Sequence, residues 1–147
     1  MLSEEQRRFL EGRAVAHLAT ADAEGVPQVV PVCFAVADGY VYIAIDGKPK
    51  RAPARSLKRL RNIAANPAVS LVADRYDDDW SRLGWVMIRG RAEILVGGAE
   101  HAEAQALVQS RYPQMAGMDI AGLPVIAVRI EAARSWGNLG LDDDYKE

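Results

Sequence analysis

Six β-rich runs, most of them joined by tight-turn signals, restrict this chain to an antiparallel sheet. Residues 15–20 (VAHLAT) make the first run, and 22–25 (DAEG) the turn after it. Residues 28–36 (QVVPVCFAV) make the second. Proline cannot donate to a ladder, so Pro31 demands an edge or a bulge there. Asp38-Gly39 is a hairpin signal, and 40–45 (YVYIAI) is the returning strand. Residues 69–73, 85–96 and 125–130, the last continuing toward Trp136, supply three more, with a bulge expected at Gly90.

Helical patterns are fewer. Ser3 followed by Glu4, Glu5 and Gln6 is a capping box opening a short helix through Phe9 or Leu10. In 56–65, Leu57, Leu60, Ile63 and Ala64 share one face while Lys58, Arg59 and Arg61 project elsewhere. Residues 99–111 are alanine-rich and amphipathic, hence helix. Residues 74–82 and 112–123 read as loops. Strands joined mainly by hairpins imply a mainly β (α+β) antiparallel barrel rather than a parallel α/β sheet.

At 147 residues the chain fits one domain, expected over 1–138 with a flexible acidic tail over 139–147. No apolar run is long enough to span a bilayer, and the N-terminus lacks the apolar stretch of a signal peptide. The expectation is a cytoplasmic protein with no membrane partner. A single cysteine, Cys33, excludes an internal disulfide framework.

Charge is distributed unevenly. Lys48, Lys50, Arg51, Arg55, Lys58, Arg59 and Arg61 supply seven of the 18 basic residues, with no acid between them. The remaining 11 cations face 20 acids, so an acidic body carries one basic patch. Like charges at helix spacing repel, which costs stability unless an anion sits among them. The pattern suits a small phosphorylated ligand. A long polyanion would call for a broad basic face, so nucleic acid is not expected.

The order of elements resembles a known family. A short helix, a His-Leu-Ala-Thr strand, a Gly-x-Pro turn, a Pro-containing second strand and a Tyr-x-Ile strand precede the basic segment. A helix ending Arg-Asn-Ile-x-x-Asn-Pro and a further strand follow it, then Trp80 with Trp85, Gly90-Arg-Ala-Glu and Trp136. This is similar to the six-stranded, FMN-binding-type split barrels related to pyridoxamine 5′-phosphate oxidase, and within them to the probable enzymes of the deazaflavin coenzyme F420. The resemblance runs from Leu2 to Trp136.

The resemblance implies a homodimer with cofactor sites in the groove between subunits. It implies an F420-dependent oxidoreductase passing a hydride to a small-molecule substrate, with FMN as the alternative cofactor. A non-catalytic carrier of a flavin, deazaflavin or haem-like ligand is a third possibility. Carried over by position, the phosphate contacts fall on Lys48, Lys50, Arg51, Lys58 and Arg59. Pro31, Val32 and Ile45 would lie beside the ring system, and Trp85 and Trp136 would close the pocket. Relatives often place threonine or serine where this chain has Asp46, a carboxylate that Lys48 or Arg51 would have to neutralise.

Other residues read as structural. Cys33 is expected to be a buried small hydrophobe, and His17 to pack or bond to the backbone. His101 has no histidine four residues away, so the zinc-protease pattern is absent. Asp74, Asp77, Asp78 and Asp79 lack the spacing and glycine of a calcium loop and read as a solvated loop. No Gly-x-Ser-x-Gly elbow, Walker loop or dinucleotide fingerprint occurs, and no catalytic side chain is named.

Overall fold

The computed structural model describes residues 1–45 and 57–141. Its centre is one antiparallel sheet of seven strands: β1 (Ala16–Ala21), β2 (Pro27–Val32), β3 (Ala35–Ala37), β4 (Tyr40–Ala44), β5 (Ala68–Arg75), β6 (Gly84–Leu95) and β7 (Val125–Gly137). Among the described residues three α-helices accompany it: α1 (Glu4–Glu11), α2 (Lys58–Ala65) and α3 (Ala99–Arg111). The strand order is β2-β1-β5-β6-β7-β4-β3.

That order explains both the barrel and its split. The two edge strands, β2 and β3, are consecutive in the chain and separated only by Cys33 and Phe34. Two residues cannot span a flat sheet of seven strands, whose neighbours lie about 4.8 Å apart. The sheet therefore curls until its edges meet, without a ladder between them. One strand more than expected arises because the run over 28–36 breaks at Cys33-Phe34, where the chain steps from one edge to the other. Pro31 sits on the β2 edge, where its missing N–H costs nothing.

The inward row Leu18, Leu71 and Ile88 continues across β1, β5 and β6 and is fully buried. Phe34, Val41, Ile43, Val86, Ile126 and Val128 fill the rest of the barrel. Gly90 marks the expected bulge: the β6–β7 register shifts between Arg89 and Gly90. A Cβ there would stand 2.1 Å from the Arg129 carbonyl oxygen, so only glycine fits.

α1 begins with the expected reciprocal cap. Ser3 Oγ accepts from the Gln6 amide, and Gln6 Oε1 accepts from the Ser3 amide, both at 3.0 Å. α3 lies against β3, β4 and β7 over a second apolar cluster that includes Ala104, Val108 and Ala127. Glu100 anchors this helix. Its carboxylate accepts from both terminal nitrogens of Arg129 (2.5 and 2.9 Å) and from the Tyr42 hydroxyl (2.7 Å). The Arg129 hydrogen bonds, then that of Tyr42, hold the Glu100 carboxyl down at about 2, while burial and Glu100 push the Tyr42 hydroxyl up to about 12.

Leu139 is buried in the barrel core. Arg75, itself buried against the Phe9 ring, donates to the carbonyls of Arg82, Asn138 and Gly140. Residues 74 and 75, expected in a loop, belong to β5 for that reason. Asp79 caps a short 3-10 turn, Trp80–Arg82, and Asp77 pairs with Arg82, so these two acids serve the turn.

Candidate functional site

A cleft of about 180 Å³ opens where the barrel splits. The end of β2 supplies Pro31 and Val32, and the crossing to β3 supplies Cys33. Val15 closes one side, Ile43 and Ala44 of β4 another, and Arg59 of α2 completes the lining. The result is a cleft of mixed polarity, walled by aliphatic side chains, with Arg59 its one cation among the described residues.

Polar contacts on the end of β1 set the position of α2, and hence of Arg59. Asn62, buried on the inner side of α2, donates from Nδ2 to Thr20 Oγ1 at 3.0 Å. Lys58 Nζ lies 3.9 Å from Asp22 Oδ2, and Asn66 Nδ2 reaches the Asp22 carbonyl. The Val26 amide chiefly, helped by the Glu24 amide and Lys58, lowers the Asp22 carboxyl below its ordinary value. Leu60 and Ile63 bury beneath. Ala64, expected on this buried face, is exposed and Asn62 takes its place, because the helix rotates to satisfy the Thr20 hydroxyl.

Of the residues expected to hold a cofactor, Pro31, Val32 and Arg59 meet in the cleft. Lys58 is half-exposed and paired with Asp22 instead. Ile45 is buried in the barrel core, and Ile43 and Ala44 line the cleft in its neighbourhood. Lys48, Lys50 and Arg51, with Arg55 and Asp46, lie outside the described residues. Val15, Cys33, Ile43 and Ala44 are additional lining residues. The alternation that places Ile43 and Ile45 on one face was the available signal for Ile43; nothing local marked Val15.

Trp85 and Trp136 lie apart from the cleft within the subunit, directly opposite each other on β6 and β7. They belong to an outward face that continues across five strands. Pro31, His17, Val72, Met87 and Arg134 form one row of it by register. His17 is exposed rather than packed, and it lines a shallow depression with Val72, Asp74, Trp85 and Met87. Val29 is 65% exposed and Trp136 54%, large apolar surface for a barrel wall. Pro31 belongs to both features: it lines the cleft and stands opposite His17 on this face.

The remaining chemistry-bearing side chains are accounted for structurally. His101 is buried, and its Nε2–H donates to the Leu123 carbonyl at 2.8 Å. Cys33 is half-buried, more open than expected, because it faces the cleft. Among the described residues no group of three or more His, Cys, Asp or Glu is placed to hold a metal ion. No helix among them is long and apolar enough to cross a membrane.

Residues 2–137 match the pyridoxamine 5′-phosphate oxidase family. The chain belongs to this family. No curated protein matches it significantly. Among solved structures, an F420 reductase is 26% identical, with a TM-score of 0.66, over 90% of this chain and 98% of that one. A conserved hypothetical protein of Mycobacterium tuberculosis reaches a TM-score of 0.74 at 20% identity, over 93% of this chain and 86% of that one. HutZ, a haem storage protein of Vibrio cholerae, reaches 0.68 at 17% identity, over 92% and 94%. At 20% and 17% identity the last two show a common fold and no more. The family match covers every element of the split barrel described above.

Proposed function

We propose that this pyridoxamine 5′-phosphate oxidase family member is an F420-dependent oxidoreductase working as a homodimer on a small-molecule substrate in the cytoplasm. The observation that carries the reading is a cleft that brings the side chains of Pro31, Val32, Ile43 and Ala44 together with Arg59. Such a cleft accepts a flat ring system, and a guanidinium fork binds phosphate through two parallel hydrogen bonds. Among the described residues α2 starts without a side-chain cap, and its first turn holds no acid, so its positive end suits an anion. Likeness to the F420 reductase points the same way.

At about 180 Å³ the cleft is smaller than the roughly 300–1,000 Å³ of complete small-molecule sites. In this reading the missing walls come from two sources. Lys48, Lys50 and Arg51 extend the anion site, and the apolar face bearing Val72, Trp85, Met87 and Trp136 meets a second copy beside Pro31. When bound, the deazaflavin supplies hydride transfer. The chain's own residues hold the phosphate through Arg59, flank the ring with Pro31 and Val32, and keep water from it.

The test is titration of the purified protein with F420, FMN and haemin, followed by absorbance and fluorescence. Saturable F420 binding, with oxidation of the reduced cofactor by an enone or quinone, is the expected result. Tight FMN binding with no response to F420 would shift the assignment to the FMN enzymes of the fold. A ligand bound without turnover would make the protein a carrier.

A further inference from the structure

The β1–β2 ladder stops at the pair Ala16 and Val32, and continuing its register makes Val15 face Cys33 and Ala14 face Phe34. The first pair lines the cleft. At the second, no backbone hydrogen bond joins the strands. The Tyr112 hydroxyl stands between them instead: it accepts from the Phe34 amide at 3.0 Å and lies 2.9 Å from the Ala14 carbonyl oxygen and 3.1 Å from that of Phe34. Its single proton serves the two carbonyls in turn.

Arg111, the preceding residue, binds the same two segments. Nη1 donates to the Phe34 carbonyl at 2.5 Å, while Nη2 reaches the carbonyls of Glu11 (3.0 Å), Leu10 (3.3 Å) and Arg13. Its guanidinium lies 4.6 Å from the Phe34 ring centre. Both residues sit at the C-terminal end of α3, where a cation also suits the helix dipole.

We propose that Arg111 and Tyr112 are positioning residues that set the width of the Arg59 cleft. Neither lines it. Their carbonyl and amide contacts hold residues 10–14 and 34 at a fixed separation just where the ladder ends. Val15 and Cys33, one residue closer to the ladder on each strand, inherit that spacing. The β1–β2 ladder ends at Ala16 and Val32, so beyond it this pair does for the two segments what backbone hydrogen bonds do within the ladder. The inference rests on the proposal that the cleft is the cofactor site, but its first readout needs no cofactor.

The test compares wild type with Tyr112→Phe, which keeps the ring and removes the hydroxyl. Cys33, the chain's one cysteine, is the probe. Its rate of reaction with a disulfide reagent such as Ellman's reagent, without ligand, should rise by roughly 3- to 10-fold, the equivalent of one hydrogen bond. F420 affinity should fall by a similar factor. Glu100→Gln, which loosens α3 at its other end without touching residues 10–14 or 34, should leave the Cys33 rate unchanged. Equal rates in wild type and folded Tyr112→Phe, or an equal rise in Glu100→Gln, would overturn the proposal. Should Tyr112→Phe fail to fold, Arg111→Lys is read in the same way, with the same expected rise and the same overturning results. If wild type binds no F420 while Tyr112→Phe still raises the Cys33 rate, the cofactor assignment fails and the positioning role stands.

Discussion

Asn62 Nδ2 donates to Thr20 Oγ1 across 3.0 Å, with both side chains buried at the junction of α2 and β1. This bond, with the buried Leu60 and Ile63, orients the helix that carries Arg59. Asn62→Leu should lower stability by about 1–3 kcal/mol, because it leaves the Thr20 hydroxyl buried and unpartnered. Adding Thr20→Val should recover much of that loss, since both polar partners are then gone. Urea denaturation of the four forms measures the coupling; strictly additive losses would show that the bond does not act as a unit.

Arg59 and Arg61 project to different sides of α2. Arg59 reaches the cleft, whereas Arg61 borders a separate apolar groove with Leu60, Ile94 and Val96. Arg59→Ala should weaken F420 binding by about 1.5–3 kcal/mol, the scale of charge-assisted hydrogen bonds. Arg61→Ala should change it by less than about 0.5 kcal/mol. Fluorescence titration separates the two, and equal effects would point to a general field of the basic segment rather than a contact by Arg59.

Val72 lies at the centre of the outward face, in register with His17 on one side and Met87 on the other. Val72→Asp places a charge where the second subunit would bury it, at a desolvation cost far above that on an open surface. Sedimentation should show a shift from dimer to monomer at micromolar concentration. A variant that stays dimeric would move the subunit interface elsewhere.

Glu100 predicts an acid-sensitive contribution to stability. Its folded pKa, about 2, lies below its ordinary value of 4.5, because Arg129 and then Tyr42 bind the carboxylate. A carboxyl lowered in the folded state stabilises above its unfolded pKa, and the contribution disappears as pH falls from about 4.5 toward 2. The Glu100 side chain is 35% exposed, so solvent screening holds the effect to about 1 kcal/mol or less. Denaturation midpoints of wild type and Glu100→Gln should therefore differ at pH 7 and converge near pH 2.5. A constant difference across that range would remove this ion pair as its cause.

Features carried by a few neighbouring residues were legible in the sequence. The capping box at Ser3 and Gln6, the Asp38-Gly39 turn, the Gly90 bulge and the helix over 99–111 all stand where local chemistry puts them. The order of elements was enough to recognise the split barrel, because hairpin spacing and the basic segment survive in the linear pattern. Strand closure was not legible. That β2 and β3 are separate edge strands follows from the curl of the whole sheet, and the run over 28–36 carries no mark of the break beyond Pro31.

The cleft shows the same division. Pro31, Val32 and Arg59 could be found by position along the chain, but Val15, Ile43 and Ala44 join them only because distant strands converge. Arg111 and Tyr112 bond to residues about 80 to 100 positions away, where no periodicity could foretell them. Local propensity and turn chemistry act over a few residues, so the sequence by itself determined which elements form and in what order. Hydrogen bonds and apolar contacts between remote segments depend on how the sheet closes, and only the tertiary structure decided which side chains share the site.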